Sequence, residues 1–389
     1  MLQGQRDLEI AHLKTKWQQL SLASRYPKTM VMRDLAQPRT THVLERGQYD
    51  LLGDEVSAGV PTVLNPMTPQ MPRNRLGLAT WLVDPEHPLT SRVAVNRYWQ
   101  RLFGTGLVKS LEDFGTQGAW PSHPDLLDTL AIEFVESGWD VKAMLRLMLN
   151  SATYRQSSRV TSAWLERDPE NRLLARAARV RLDAEQVRDQ ALAISGLITQ
   201  KLGGPSVFPY QPKGLWLELN NRPGLSSEYV VGSGDSLYRR SVYTFWKRTV
   251  LSPMLKTMDA PSREFCTVQR SRTNTPLQAL LLLQAPQFVE AARHLAVRMM
   301  QQGGEHPREG IALGFELATA RIPSARELQV LMEFYQDRKA WFEQEPQAVR
   351  DMLGREVAVS AEGWDQIALA AFMEVGRLLL NLDETINRG

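Results

Sequence analysis

The chain of 389 residues exceeds the usual size of one domain, so two or three are expected. With 43% hydrophobic and 23% charged residues it can bury a sizeable core, which excludes a disordered chain. Net charge is only +3, and no apolar run approaches a membrane span, the best candidate being Leu277 to Leu283.

Residues 5 to 24 read as a helix whose charges exclude a secretory signal, so a chain complete as written would stay in the cytoplasm. Pro38 to Pro72 is rich in proline and glycine, with Thr41-His42-Val43-Leu44 strand-like. Its apolar Val43, Leu44, Val56, Val60, Val63 and Leu64 predict an extended segment that wraps, not a free linker. Helices follow at Asn74 to Val83 and Thr90 to Phe103. Ser122-His123-Pro124-Asp125 reads as a capping box opening a helix that Gly138 ends, and Asp140 caps the next. Asp168-Pro169 opens another helix. Asp183 with Gln186 opens one whose apolar residues run to Gly203-Gly204. Residues 203–240 read as a loop anchored by Trp216 and Tyr229. Ser241 to Trp246 alternates and predicts one short strand. Thr275-Pro276 opens a helix to Gln284, Pro286 one to Met300, and further helices fall at 307–319, 324–342 and 361–381. The expected fold is mainly α, a multi-helix globular body with a few short strands and long ordered loops. Its parts are an N-terminal helix and leader (1–37), the extended segment (38–72) and a helical domain (73–389), with lobes at 73–202 and 241–389 joined by loop 203–240.

Chemistry-bearing signatures are few. Cys266 is the only cysteine, which excludes an intramolecular disulfide, a cysteine zinc site and haem attachment. Among six histidines no metal-ligand pair recurs, so no metal site is expected, and His123 beside Asp125 fits a structural role better than ligation. Cys266 and Arg270 share the spacing of the sulfatase formylglycine signature, but Val268 stands where that signature needs proline. Charge is uneven: Arg239 to Arg272 holds eight basic residues against Asp259 and Glu264, a local +6 that attracts anions or sits in ion pairs. Polar and aromatic residues cluster around it and elsewhere. Asn96, Arg97, Trp99, Arg155, Arg240, Trp246, Arg248, Arg263, Arg272 and Asn274 are candidate ligand-binding residues. Asp113, His123 and Asp259 are candidate acid/base groups. The same residues would serve equally as a structural network of bidentate pairs.

Ordered motifs at these clusters resemble one family. They include Asn96-Arg97-Tyr98-Trp99, Asp113-Phe114-Gly115, Pro121-Ser122-His123-Pro124, Tyr154-Arg155-Gln156-Ser157-Ser158 and Asp168-Pro169-Glu170-Asn171-Arg172. Arg239 through Arg248, Asp259-Ala260-Pro261, Arg272 through Leu280 and Leu380 through Thr385 complete the series. Together they are similar to the planctomycete-type PSD-one domain, domain of unknown function fifteen fifty-three, from about Pro38 onward. One departure is Gln284-Ala285-Pro286 where the family tends to have Asn-Asp-Pro. The resemblance implies the C-terminal region of an exported, extracytoplasmic polypeptide that often follows a c-type cytochrome domain. A haem domain would then lie on a longer polypeptide, and no cofactor is expected in this chain. The family brings no established catalytic residues. Two readings follow: an accessory or binding module of such a cytochrome-associated polypeptide, or an enzyme on anionic polysaccharide. Nucleic-acid binding is not expected, because net charge is modest and no nucleic-acid module is present.

Overall fold

The computed structural model describes residues 10–17, 29–35, 37–219, 228–304, 306–354 and 364–389. Helix dominates them, and strands form only two two-stranded sheets. The chain divides into two compact units, Met1–Thr90 and Ser91–Gly389.

In the first unit, residues 10–17 form α1, and the remainder of the helix expected over 5–24 lies outside the described residues. β1 (Thr41–Leu44) pairs antiparallel with β2 (Leu52–Val56). The sequence shows only the first of these strands, because Leu-Gly-Asp-Glu-Val lacks the β-branched alternation that marks the other. α2 (Arg75–Leu82) starts where Asn74 accepts hydrogen bonds from the Leu76 and Gly77 amides. Gly77 is required there, since a Cβ would lie 1.8 Å from the Pro72 carbonyl. Trp81 is buried, donates to the Asn65 carbonyl at 2.7 Å and meets His87 edge-on at 4.5 Å. The segment before α2 is therefore anchored on it by both a close backbone approach and an indole hydrogen bond.

The second unit contains two apolar clusters. The first joins α3 (Thr90–Phe103), α4 (Pro124–Glu136) and α5 (Val141–Asn150) through Val95, Trp99, Leu127, Phe134, Met144 and Met148. α6 (Ser162–Arg167) follows, then β3 (Val180–Arg181), which pairs antiparallel with β4 (Asn387–Arg388) and so joins distant parts of the sequence. The second cluster is built on α7 (Ala184–Ser195), α11 (Pro286–Gly303), α12 (Pro307–Thr319), α13 (Ala325–Gln344) and α15 (Gln366–Leu380). α15 is buried on nearly every side, from Ala368 through Met373 and on to Leu380. At Gly376 a Cβ would sit 2.9 Å from the Ala292 carbonyl, so glycine lets α15 and α11 approach closely. The remaining short helices are α8 (Leu215–Leu219), α9 (Pro253–Thr257), α10 (Pro276–Gln284), α14 (Pro346–Leu353) and α16 (Asp383–Ile386).

Four local expectations are corrected. Ser241 to Trp246 is no strand: Ser241–Tyr243 is a 3-10 turn, closed by Tyr243 and Thr244 amides donating to Arg240 and Ser241 carbonyls. Only an isolated bridge from Thr244 to Val207 remains of any sheet pairing. The box at 122–125 does not form, because Pro124 occupies the first helical position and His123 stands at the cap without a side-chain bond. Asp168-Pro169 opens no helix. Asp168 instead ends α6, and its buried carboxylate accepts from the Arg172 and Leu173 amides, folding a turn. Those two amides, with Arg176 and Arg172 nearby, outweigh burial and hold its pKa below the ordinary value. Finally, α7 stops at Ser195 because Gly196 takes a left-handed φ of 82°. The Asp183/Gln186 and Thr275/Gln278 capping boxes both form as expected.

Candidate anion-binding cleft

An open cleft of about 550 Å³ lies in the second unit where α3 ends, β3 meets β4 and α7 begins. Seven arginines line it, Arg101, Arg181, Arg240, Arg263, Arg270, Arg272 and Arg388, against three carboxylates, Asp183, Glu185 and Asp189. They arrive from several local structures. Arg101 sits in the last turn of α3 and Arg388 on β4. Arg388 donates to the Arg101 and Leu102 carbonyls at 3.0 and 2.7 Å, and Arg272 to the Gly104 carbonyl at 3.3 Å. These cations cap the negative end of α3. Burial, and the like charges of Arg101 and Arg388, lower the Arg272 pKa, although Asp183 works the other way.

The carboxylates belong to the N-cap and first two turns of α7. Asp183 pairs with Arg101 at 2.5 Å and lies 3.6 Å from Arg270. Glu185 takes a two-pronged bond from Arg270, at 2.6 and 3.2 Å. Burial opposes charge on Arg270, but the bond to Glu185 prevails and its pKa rises. Asp189 accepts the Ser241 amide at 2.7 Å, which fixes Arg240 one residue earlier at the rim.

Arg240 and Arg263 differ from the others. Both are exposed, and among the described residues neither guanidinium has a hydrogen bond or ion pair. The Arg263 Cζ lies over the Trp246 ring at 3.9 Å, and Trp246 itself donates to the Ser262 carbonyl at 3.2 Å. The stack orients the guanidinium while leaving its N–H edge open.

Of the residues singled out in the sequence, Arg240, Arg263 and Arg272 come together here. Asp259 borders an adjoining small void with Arg181 and Arg272. Its Oδ2 accepts from the Thr273 amide and hydroxyl, both at 2.7 Å, and from Gln278 at 3.2 Å, bracing the 259–273 loop. Asp113 lies in another loop, accepting the Gly115 amide at 2.7 Å. His123 is half-buried with Nδ1 3.0 Å from the Ser122 hydroxyl. Neither lines the cleft. Asn96 is fully buried and exchanges two 2.9 Å hydrogen bonds with the Val108 backbone. Trp99 stacks on Phe103 in the core at 3.9 Å. Arg97, Arg155, Arg248 and Asn274 are exposed outside the cleft. Sequence reasoning missed Arg181 and Arg388, which reach the cleft only through the two-residue pairing of β3 with β4. The Asp183 capping box was the one available signal, since it places Arg181 just before a helix start. Among the described residues no group of three or more His, Cys, Asp or Glu side chains could hold a metal ion.

Fold and cleft together define a mainly α protein with an arginine-lined groove. The chain belongs to the PSD1 family, protein of unknown function (DUF1553), which it matches over residues 74–335. No curated protein and no solved structure matches it.

Proposed function

We propose that Ser91–Gly389 is a binding module whose arginine cleft takes an anionic ligand, with an acidic glycan as the partner. The observation that carries this reading is that Arg240 and Arg263 are left open, among the described residues, in a cleft where seven arginines face three carboxylates. Guanidinium forks suit carboxylate and sulfate oxygens, and a concave basic surface concentrates anions. Binding is favoured over catalysis because the acid/base candidates hold loops: Asp113 accepts its own turn and Asp259 is taken by Thr273 and Gln278. The family resemblance adds a setting, a module of an exported polypeptide with a c-type cytochrome domain alongside.

Calorimetric titration of the full chain with heparin and with neutral dextran tests the proposal. Heparin should bind, and weaken steeply between low salt and physiological salt as the Debye length shortens to about 8 Å. Equal response to both polymers, or none to heparin, would contradict it.

A further inference from the structure

A cavity of about 760 Å³ in the second unit shares no lining residue with the arginine cleft. Its volume falls within the range of small-molecule pockets, about 300–1,000 Å³. The wall is apolar where α12, α13 and α15 meet. Phe315 and Leu331 are buried there, Leu382 is half-buried, and Val330 and Leu378 are 54% and 38% exposed. An apolar group entering the cavity takes this surface out of water, which is favourable. Charge on the rim is sorted. Arg321 forks onto both Glu327 and Glu384, and Asp383 pairs with Arg179. Each side-chain carboxylate lining the cavity is thus matched to a guanidinium. Arg159 and Arg326 also line it and are exposed, and among the described residues neither guanidinium has a hydrogen bond or ion pair. Arg326 stands in the first turn of α13, where the helix dipole favours an anion. It lies four residues before Val330, so the open cation and the apolar wall share one face of α13, a turn apart.

We infer that this cavity takes a single-tailed amphipathic anion, an aliphatic chain ending in one carboxylate. The chain lies against Phe315, Val330, Leu331, Leu378 and Leu382, and the carboxylate pairs with the open guanidinium groups of Arg326 and Arg159. A neutral chain gains nothing from those two groups. An alkylammonium is repelled by them, and the carboxylates that would attract it are already held by Arg321 and Arg179. An acidic glycan lacks the apolar body that would cover Val330 and Leu378. The cavity therefore serves a ligand class different from that of the arginine cleft, and stands whether or not the cleft binds glycan.

Ligand NMR of the full chain with octanoate, 1-octanol and octylammonium at neutral pH tests this. Octanoate should bind at least about tenfold more tightly than 1-octanol, the factor that a hydrogen bond to a charged group typically supplies, and octylammonium should bind most weakly. Replacing both arginines, Arg159→Gln with Arg326→Gln, should bring octanoate down to the octanol level. Val330→Glu sets a carboxylate into the apolar wall at a helical position that glutamate tolerates well, and should abolish octanoate binding while the urea midpoint holds. Octanol or octylammonium bound as tightly as octanoate overturns the anionic assignment. Full octanoate affinity in the doubly substituted protein, or in a folded Val330→Glu protein, places the ligand elsewhere and overturns the site. Absence of octanoate binding to the parent overturns it outright. Should Val330→Glu unfold, the double arginine variant decides, because neither side chain holds a bond within the described fold.

Discussion

Arg239 and Arg240 are neighbours in one basic segment and face opposite fates. Arg239 is buried, stacks on Tyr243 at 3.8 Å and donates to the Lys201 and Gly203 carbonyls at 2.9 and 2.5 Å. Beneath it Arg188, 1% exposed, donates to Gln287, the Arg239 and Leu237 carbonyls and the Ser241 hydroxyl, all within 3.0 Å. Burial pulls its pKa down to about 10, with Asp189 partly offsetting, so it stays charged at neutral pH. On this inner side all three Arg188 nitrogens donate to oxygens, and Arg239 uses both terminal nitrogens on carbonyls, only its Nε being buried without a partner. On the cleft side the Arg240 guanidinium has no partner among the described residues. Charge count alone therefore says little about function, and what separates scaffold from site is whether the donors are already satisfied.

The contrast can be broken at its stronger end first. Arg188→Met should cost at least about 3 kcal/mol, since several acceptors at about 1–3 kcal/mol each lose their donor. Urea unfolding would show it as a lower midpoint, and an unchanged midpoint would mean the inner network is dispensable. Arg239→Gln should cost less, about 1–2 kcal/mol, because its partner carbonyls border the surface and can recruit water.

A third test lies on acidity. Arg321 forks onto Glu327 at 2.6 and 3.0 Å and onto Glu384 at 2.8 and 2.7 Å. The Arg321 hydrogen bond, helped by Ser324, holds the Glu327 carboxyl at about 2, below the ordinary 4.5. The Glu384 pKa is lowered for the same first reason, its bond to Arg321. Since the folded carboxyls are the more acidic, the stability they add is present above pH 4.5 and is lost as pH falls toward about 2. Arg321→Met should flatten this acid limb of the stability curve. The cluster is partly solvent-exposed, so the effect is modest and shrinks in high salt. A limb unchanged in the variant would contradict the assignment.

Arg263→Lys should leave the unfolding midpoint within about 0.5 kcal/mol of the parent, as expected for a surface change. It should nevertheless weaken heparin binding severalfold, because lysine lacks the planar fork that Trp246 orients. Unchanged heparin affinity would remove Arg263 from the site.

Most helix starts were legible from local capping signals, although Asp168-Pro169, a signal of the same kind, opens no helix. Thr275, Pro276 and Gln278 mark the start of α10 by themselves, and Asp183 with Gln186 marks α7. The 241–246 stretch misled because its alternation of Val, Thr and aromatic side chains serves no sheet: Val242 faces outward, Ser241 and Thr244 inward, and Asp189 and Arg188 grip the turn from α7. The cleft was half legible. Arg240, Arg263 and Arg272 stand close in sequence, and their excess charge is visible there. Arg101, Arg181 and Arg388 come from three distant segments that meet only through the end of α3 and the pairing of β3 with β4. No periodicity or composition encodes that meeting.

On the proposed reading, arginines whose donors are satisfied are scaffold and those left open are recognition. Parallel titrations of Arg239→Gln and Arg240→Gln with heparin, each paired with a urea midpoint on the same sample, test it most directly. Arg240→Gln should keep the midpoint and lose most of its heparin affinity, while Arg239→Gln should lower the midpoint. An Arg240→Gln protein that binds heparin as the parent does, or that unfolds as readily as Arg239→Gln, would contradict it.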